Sequence, residues 1–233
     1  MSRSKKNILV SVSLILIAII YTILVKTINL GNIGPENSVV GFSKLNGYVH
    51  NLIGVHMNLY KVTQILGLIP LLMAGIYALI GIVELVKRKN LLKIDREILL
   101  LGVFYIIVIG TYVFFEKVII NYRPVLIDGL EASYPSSHTV LALCICMSSI
   151  MINNKLFKNI KLAKYENIIS IILMIAIVIG RLFSGVHWFT DIIGGIIISI
   201  ALLKCFNTVL EKNEWLIITF FLHKKFKNVI IYI

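Results

Sequence analysis

Long runs of apolar residues, separated by shorter polar segments, dominate the pattern along this chain. A helix needs roughly 20 apolar residues to cross the ~30 Å hydrocarbon core of a bilayer. Six runs approach this length, over residues 7–26, 65–86, 97–120, 138–153, 167–185 and 189–210. The fourth run is short, and we expect it to extend at both ends. The pattern therefore predicts an all-α polytopic membrane protein with a six-transmembrane-helix bundle.

Lysine and arginine are concentrated in alternate segments between these runs. They are frequent at the N-terminus, in the segment 87–96 and in the segment 155–164, whereas residues 27–64 contain only two lysines. Basic loops tend to remain on the cytoplasmic side of a membrane, so both termini are predicted to be cytoplasmic. The last segment, 211–233, is apolar but interrupted by lysines, which predicts an interfacial cytoplasmic tail.

Composition agrees with a membrane protein and argues against other classes. The 233 residues are 58% hydrophobic and only 15% charged, and their mean hydropathy is +0.93. A soluble domain of this size cannot bury so much apolar surface. The net charge of +12 lies between the apolar runs, so it indicates orientation in the bilayer and not a nucleic-acid partner. We predict one integral membrane domain over residues 1–233, in the cell membrane of a bacterium, with no oligomeric state specified.

Three polar clusters stand at the ends of predicted spans. The sequence "EKVIINYRPVL" closes the third span and contains Lys117 and Arg123. The sequence "YPSSHT" opens the fourth span and contains His138, and "GRLFSGVHWFTDIIGG" joins the fifth span to the sixth. With a cytoplasmic N-terminus, spans three and five end at the extracytoplasmic face, and spans four and six begin there. The predicted topology therefore brings all three clusters to that face.

The residue types in these clusters suit the binding of a phosphate. The guanidinium groups of Arg123 and Arg181 present N–H donors in a fixed fork, which matches phosphate oxygens in geometry and charge. Ser136 and Ser137 open a predicted helix, and the free N–H groups at a helix N-terminus favour an anion. Buried charges of this kind cost roughly 2–3 kcal/mol each in hydrocarbon without partners, so a bound anion would explain their presence.

The histidines and the aspartate suit nucleophilic catalysis. His187 and Asp191 are four residues apart, which places them on one face of a helix. We expect the carboxylate to hold one imidazole nitrogen, which leaves the other free to attack phosphorus. His138 comes from a different segment and is available to protonate the leaving oxygen. No cluster of carboxylates suited to a divalent metal accompanies these residues in the sequence.

Together the three clusters resemble the signature motifs of the type 2 phosphatidic acid phosphatase family, which are lipid phosphate phosphatases related to vanadium haloperoxidases. The family pattern is Lys-x6-Arg-Pro, then Pro-Ser-Gly-His, then Ser-Arg-x5-His-x3-Asp. It is matched here by Arg123-Pro124, by Pro135-Ser136 with His138, and by Arg181, His187 and Asp191. The resemblance covers roughly residues 97–210. It implies a six-helix core, a site that faces outward, and a reaction without a metal or cofactor.

Three positions depart from the family pattern. Ser137 replaces the glycine of the second motif, Gly180 replaces the serine of the third, and Lys117 stands one residue too close to Arg123. The first two exchange small residues, so we expect the anion site to be preserved. On a continuous helix, the lysine spacing rotates Lys117 about 100° away from the face of Arg123 and places Glu116 there. We therefore expect Lys117 to contribute modestly and Glu116 to orient an arginine.

These observations predict a phosphatase that acts on a membrane lipid phosphate or pyrophosphate at the extracytoplasmic face through a phosphohistidine. A polyprenyl-type lipid diphosphate, phosphatidylglycerophosphate and phosphatidic acid are all candidate substrates. A phosphotransferase that passes the phosphoryl group to another lipid or to a sugar would use the same residues. The displaced Lys117 also suggests a binding or scaffold protein with a disabled site, which turnover by the purified protein would exclude.

Overall fold

A computed structural model describes residues 2–156 and 159–212, without the side chains of residues 154 and 155. Seven α-helices occur within these residues: α1 Arg3–Thr27, α2 Ser43–Ile53, α3 Met57–Arg88, α4 Arg96–Lys117, α5 Ser137–Leu156, α6 Ile160–Phe183 and α7 Phe189–Glu211. Two short 3₁₀ helices, Pro35–Asn37 and Leu91–Lys93, lie in the connecting segments. Over these two ranges the chain has isolated β-bridges but no strand, so the all-α class is confirmed for them.

Five of the seven helices are long and apolar enough to cross a membrane, namely α1, α3, α4, α6 and α7. The apolar part of α5, Ser137–Asn153, is shorter. This helix lies at the centre of the bundle, where it packs against α3, α4, α6 and α7. A helix surrounded by protein instead of lipid can carry polar residues that neighbouring helices satisfy, and α5 buries Ser148, Ser149 and Asn153 completely.

Apolar side chains fill most of the space between the helices. The largest cluster joins α4, α5 and α7, and within it the ring centroids of Phe104 and Phe206 lie 4.7 Å apart. Helix α1 packs along α7, and at one end of that contact the hydroxyl oxygens of Ser11 and Thr208 are 2.9 Å apart. Lipid is as apolar as these side chains, so van der Waals packing and interhelical hydrogen bonds hold the helices together.

The helix ends differ from the predicted spans in places that matter for the site. Helix α3 begins at Met57 and not at 65, and α6 begins at Ile160 and not at 167. Helix α4 ends at Lys117, before the predicted 120. Helix α2 was not predicted at all. The predicted interfacial tail, 211–233, lies almost entirely outside the described residues.

One end of the bundle gathers the starts of α5 and α7 with the ends of α4 and α6, and α2 lies against it. The Gly41 backbone N–H, just before α2, donates to Asn121 Oδ1 at 3.2 Å. Asn46 Nδ2 on α2 donates to Thr190 Oγ1 at 2.9 Å in the first turn of α7. These contacts tie the segment before α3 to the loops that carry the three polar clusters.

Candidate active site

Arg123 lies in the loop 118–136, which joins α4 to α5. Two antiparallel backbone hydrogen bonds close this loop. The Arg123 N–H donates to the Glu131 carbonyl oxygen at 3.0 Å, and the Ser133 N–H donates to the Asn121 carbonyl oxygen at 2.9 Å. The pairing places the Glu131 carboxylate Oε2 at 3.0 Å from Arg123 Nε. Arg123 therefore reaches the site from a paired loop and not from a helix.

The expected placement of Lys117 assumes a helix that continues through Arg123, and the structure corrects this assumption. Helix α4 ends at Lys117, and Val118 already has nonhelical backbone angles, so no helical rotation relates the lysine to the arginine. Lys117 is exposed. Glu116 is also exposed but lines a small cavity at the loop. The sequence suggests Glu116 as the carboxylate that orients an arginine. In the structure, the carboxylate that pairs with Arg123 belongs to Glu131.

His187 is buried in the loop between α6 and α7, where only 4% of its surface is exposed. Its Nδ1 lies 3.1 Å from Ser133 Oγ and 3.1 Å from the Ser133 carbonyl oxygen. A carbonyl oxygen can only accept, so Nδ1 carries the hydrogen of the neutral imidazole and Nε2 carries the lone pair. Nε2 is buried and has no hydrogen-bond partner. Nε2, the nitrogen with the lone pair, is thus free of hydrogen bonds and can act as a nucleophile.

Asp191 is completely buried in the first turn of α7, and it reaches His187 through an intermediate residue. The Ser133 hydroxyl donates to Asp191 Oδ2 at 2.5 Å and faces the imidazole with its other side. Asn121 Nδ2 donates to Asp191 Oδ1 at 3.2 Å, and the Trp188 backbone N–H donates to Oδ2 at 3.0 Å. The direct contact expected between the carboxylate and the imidazole is replaced by Ser133.

His138 stands in the first turn of α5, the helix whose N-terminal N–H groups were expected to cradle an anion. The Ser136 N–H is not free, because it donates to the Asp191 carbonyl oxygen at 3.1 Å. Ser136 Oγ accepts a hydrogen bond from Thr139 Oγ1 at 3.1 Å. The N–H groups that a helix start leaves without intrahelical partners are therefore those from Ser137 onward. His138 Nδ1 is buried without a partner.

The two guanidinium groups are buried and incompletely hydrogen-bonded. Arg181 is fully buried on α6, where its Nη2 donates to Gln64 Oε1 and its Cζ lies 5.0 Å from the centroid of the Tyr60 ring. Its Nε and Nη1 have no partner. Arg123 Nη1 is likewise buried without a partner. Guanidinium N–H groups held in this state form a ready binding site for an oxyanion.

The charges at this end of the bundle act on one another. Burial lowers the pKa of His187 well below its ordinary value, and the nearby Arg123, Arg181 and His138 lower that pKa further. Since a lowered pKa favours the neutral form of a histidine, His187 is neutral at pH 7. The three motifs are therefore brought together around His187, and they keep it in the form that can act as a nucleophile.

Two cavities reach these residues. A groove of about 530 Å³ lies between α3, α4 and α5, and it is lined mainly by apolar side chains with Gln64, Ser137 and His138 at one part of its wall. A small cavity of about 20 Å³ is lined by His187 and Glu116. Tyr112, Ser137 and Leu141 line both. Lys117 lines neither of them.

Three contacts of the site were not anticipated from the sequence, those of Ser133, Asn121 and Gln64. Ser133 and Asn121 lie within or beside the motifs, and their polarity next to apolar spans was the available signal. Gln64 lies far from any motif, just before the predicted second span. A glutamine in an apolar helix of a membrane protein needs a hydrogen-bond partner, but the sequence does not identify which one.

Comparison with known proteins shows what these features are similar to. Residues 104–215, which include the paired loop and all the motif residues from Arg123 to Asp191, match the family model of the PAP2 superfamily. The fold is similar to the crystal structure of the first transmembrane PAP2 type phosphatidylglycerolphosphate phosphatase from Bacillus subtilis. That similarity has a TM-score of 0.58 and 20% sequence identity, over 88% of this chain and 98% of the other. A search of curated proteins found no match. The resemblance inferred from the motifs is confirmed, because the residues that carry it lie within the stretch 104–215 that matches the PAP2 superfamily model.

Proposed function

We propose that this protein is a metal-independent phosphatase that removes a phosphoryl group from a membrane lipid through a covalent phosphohistidine at His187. One observation carries the proposal. Buried nitrogens without hydrogen-bond partners occur on Arg123, Arg181, His138 and His187, which the fold draws from three separate segments. Buried polar groups in native proteins are nearly always paired, so the guanidinium N–H groups call for a ligand with several acceptor oxygens, and the lone pair of His187 Nε2 calls for an electrophilic centre in the same ligand. A phosphoryl group meets both requirements.

In the first step, the phosphoryl group binds between the guanidinium groups of Arg123 and Arg181 and the N-terminus of α5. The lone pair of His187 Nε2 forms a bond to phosphorus while the bond from phosphorus to the leaving oxygen breaks. His138 takes up a proton as the negatively charged phosphoryl group binds beside it, and gives this proton to the leaving oxygen. The arginines stabilise the charge on the equatorial oxygens in the transition state.

In the second step, the dephosphorylated lipid has left and water takes its place. His138, now neutral, accepts a proton from the water as the water oxygen attacks phosphorus. The N–P bond breaks and its electrons return to His187 Nε2, which restores the starting state. Ser133 and Asp191 keep the Nδ1 hydrogen of His187 in place throughout. A phosphotransferase would differ only in the acceptor that replaces water.

The groove beside His138 supports a lipid substrate. Its apolar wall includes Ile65, Leu68 and Leu71 of α3 and Ile109 of α4, which suits a hydrocarbon tail close to the phosphoryl group. The substrate class remains that of the sequence prediction, with a polyprenyl-type diphosphate, phosphatidylglycerophosphate and phosphatidic acid as candidates. The similar Bacillus subtilis protein is a phosphatidylglycerolphosphate phosphatase, so that lipid belongs in the first assay.

The decisive experiment is an assay of the purified protein with these three lipids, each in the presence of EDTA. We expect phosphate release that EDTA leaves unchanged and that vanadate inhibits, because vanadate adopts the five-coordinate geometry of the transition state. Loss of activity in EDTA that magnesium restores would refute the metal-independent mechanism. Absence of turnover on every lipid would favour the disabled-site alternative. Label that appears on a second lipid or a sugar would identify a phosphotransferase.

We also propose that α5 is the sixth transmembrane helix, that both termini are cytoplasmic, and that the site faces the extracytoplasmic side of the cell membrane. The distribution of lysine and arginine supports this orientation. In a chain depleted of cysteine, Leu45→Cys and Asp128→Cys should react with an impermeant thiol reagent added to intact cells. Asn90→Cys and Ile160→Cys should react only after lysis. The reverse pattern would place the site in the cytoplasm.

A further inference from the structure

Helix α3 lies outside residues 104–215, the region that matches the family model, yet it contacts two side chains of the candidate site. The contacts come from Tyr60, Gln64 and Gly67, which are spaced by four and by three residues. Such spacing places the three on one face of the helix. The family motifs lie on α4, α5, α6, α7 and their connecting loops, so nothing in them accounts for this face of α3.

Gln64 and Tyr60 hold the guanidinium of Arg181. Gln64 Oε1 accepts a hydrogen bond from Arg181 Nη2, and Gln64 Nε2 donates to Tyr60 Oη at 2.9 Å. The Tyr60 ring lies against the guanidinium, with 5.0 Å from Cζ to the ring centroid. An amide orients the arginine without neutralising it, whereas a carboxylate in the same place would compete with a bound phosphate. Arg181 Nε and Nη1 are left unpaired.

Gly67 stands against the imidazole of His138. A Cβ atom at position 67 would lie 2.6 Å from His138 Cδ2 and 3.1 Å from Nε2, and distances below about 3.0 Å force a displacement. The absent side chain is what allows the ring to occupy its position beside the groove. Any larger residue at 67 must move the imidazole.

The position of α3 relative to α6 is itself closely fixed. A Cβ atom at Gly180 would lie 2.4 Å from Thr63 Cγ2, so the glycine that replaces the family serine lets α3 approach α6 next to Arg181. Thr63 is buried, and its hydroxyl donates to carbonyl oxygens of its own helix. The close approach keeps Gln64 within reach of the guanidinium.

We infer that the Tyr60–Gln64–Gly67 face of α3 positions the site: Gln64 orients Arg181 toward the phosphoryl group, and Gly67 sets the place of His138 toward the leaving oxygen. Both are positioning residues, since they act through another side chain. The inference rests on the proposed function, because it assigns Arg181 to phosphate binding and His138 to proton transfer.

The test for Gly67 compares Gly67→Ala with Gly75→Ala, a glycine of the same helix at which a Cβ meets no atom within 4 Å. A displaced general acid affects a poor leaving group far more than a good one. We expect Gly67→Ala to lower kcat on phosphatidic acid by about 100-fold and on p-nitrophenyl phosphate by less than about 5-fold. Gly75→Ala should change neither. Equal losses on both substrates, or no loss, would overturn the role of Gly67.

The test for Gln64 uses inhibition by inorganic phosphate and does not depend on Gly67→Ala folding. Gln64→Glu should place a carboxylate against Arg181. Because a carboxylate binds a guanidinium more strongly than an amide does, it should compete with phosphate and raise the inhibition constant for phosphate by about 10-fold or more. Gln64→Leu, which cannot hold the guanidinium, should lower kcat/KM while changing that constant less than Gln64→Glu does. Identical inhibition constants for wild type and Gln64→Glu would overturn the inference for Arg181.

Wild-type activity separates the two levels of the argument. If the wild type hydrolyses none of the lipids, the proposed function fails. If the wild type is active while Gly67→Ala and Gln64→Glu both behave as Gly75→Ala does, the proposed function stands and the inference about α3 fails. Thermal unfolding of each variant in detergent completes the experiment, because a positioning effect must appear at an unchanged Tm.

Discussion

Two polar clusters inside the bundle differ in how fully their hydrogen bonds are made. We call the first the α5–α6 cluster; its members are Tyr77, Ser149, Asn153, Glu166 and Ser170. Tyr77 Oη lies 2.5 Å from Ser149 Oγ and donates to Asn153 Oδ1 at 2.7 Å. Glu166 accepts hydrogen bonds from Ser149, Asn153 and Ser170. None of the five has a buried side-chain nitrogen or oxygen without a partner.

The second, the site cluster, consists of Arg123, His138, Arg181 and His187. Each of its members has at least one buried nitrogen without a partner. Ser149 follows Ser137, where α5 begins beside this cluster, by roughly 18 Å of helix. The same helix thus contributes to a closed network in one place and an open one in another. A closed network, in which every buried polar group has a partner, stabilises helix packing. An open network, in which some buried groups have no partner, can still form hydrogen bonds to a ligand.

Among the variants that test the difference between the two clusters, we expect His187→Ala to have the largest effect on kcat. His187→Ala should lower kcat by at least about 1,000-fold, since removal of a catalytic nucleophile costs this much or more. The protein should still fold, because within the described residues the imidazole hydrogen-bonds only to Ser133. Brief exposure of the wild type to labelled substrate should trap acid-labile phosphate on the protein. An active His187→Ala enzyme would disprove the covalent mechanism.

The second prediction compares kcat/KM for a variant of Arg123 with variants of Glu116 and Lys117, at the end of α4. Arg123→Ala should lower kcat/KM by about 100-fold or more, because the proposed mechanism uses this charge to stabilise the developing oxyanion. Glu116→Gln should have an intermediate effect, since Glu116 lines the cavity next to His187. Lys117→Ala should change kcat/KM by only a few-fold, since Lys117 is exposed. If Lys117→Ala were as damaging as Arg123→Ala, the lysine would be a direct phosphate ligand.

The membrane helices were largely predictable because each is an apolar run whose length is set by the bilayer. Helix ends were less so. The predicted span that ends at 120 gives no sign that the helix stops at Lys117, because Val118, Ile119 and Ile120 resume the apolar run after the charged pair Glu116 and Lys117. Helix α2 has no long apolar run, and its position depends on tertiary hydrogen bonds such as that of Asn46 to Thr190.

The residue types at the site were predictable, but their connections were not. Spacing within a motif indicates which residues share a helix face, and that reasoning requires a helix. It fails for Arg123, which lies in a paired loop, and for the link from Asp191 to His187, which passes through Ser133. Contacts between distant segments, such as Gln64 with Arg181, leave no periodic trace in one sequence.

Removal of the Ser133 hydroxyl should have a moderate effect. Ser133→Ala breaks the link between Asp191 and the imidazole, but the carbonyl oxygen of residue 133 still accepts from Nδ1. We expect kcat to fall about 10-fold with KM nearly unchanged, because His187 keeps its tautomer and loses part of its orientation. Ser133→Thr, which retains the hydroxyl, should recover activity. A loss as large as that of His187→Ala would mean that the hydroxyl takes part in the chemistry.

The pH dependence of kcat/KM reports the nucleophile. Burial and the neighbouring positive charges lower the pKa of His187, and in the proposed mechanism only its neutral form attacks phosphorus. The acidic limb that reflects protonation of His187 should therefore lie below pH 6.5, the ordinary pKa of histidine. Arg123→Ala removes a positive charge, which should raise the pKa of His187 and move this limb to higher pH. A limb that stays in place would show that Arg123 does not act on His187 electrostatically.

The smallest effect on catalysis is expected in the α5–α6 cluster, and it tests the comparison from the other side. Tyr77→Phe removes one hydroxyl that two partners use, Ser149 and Asn153, and otherwise preserves the buried ring. We expect the free energy of unfolding to fall by about 1–3 kcal/mol, since polar groups in the interior lose a hydrogen bond. Because no member of the α5–α6 cluster has an unpaired buried group that a ligand could bind, kcat and KM on the best lipid substrate should remain within about 2-fold of wild type.

The free energy of unfolding is to be measured in detergent, with Tyr48→Phe as the control, because Tyr48 is an exposed tyrosine of α2. A Tyr77→Phe protein that is as stable as wild type but has lost activity would mean that the α5–α6 cluster serves the reaction, and the distinction between closed and open clusters would fail.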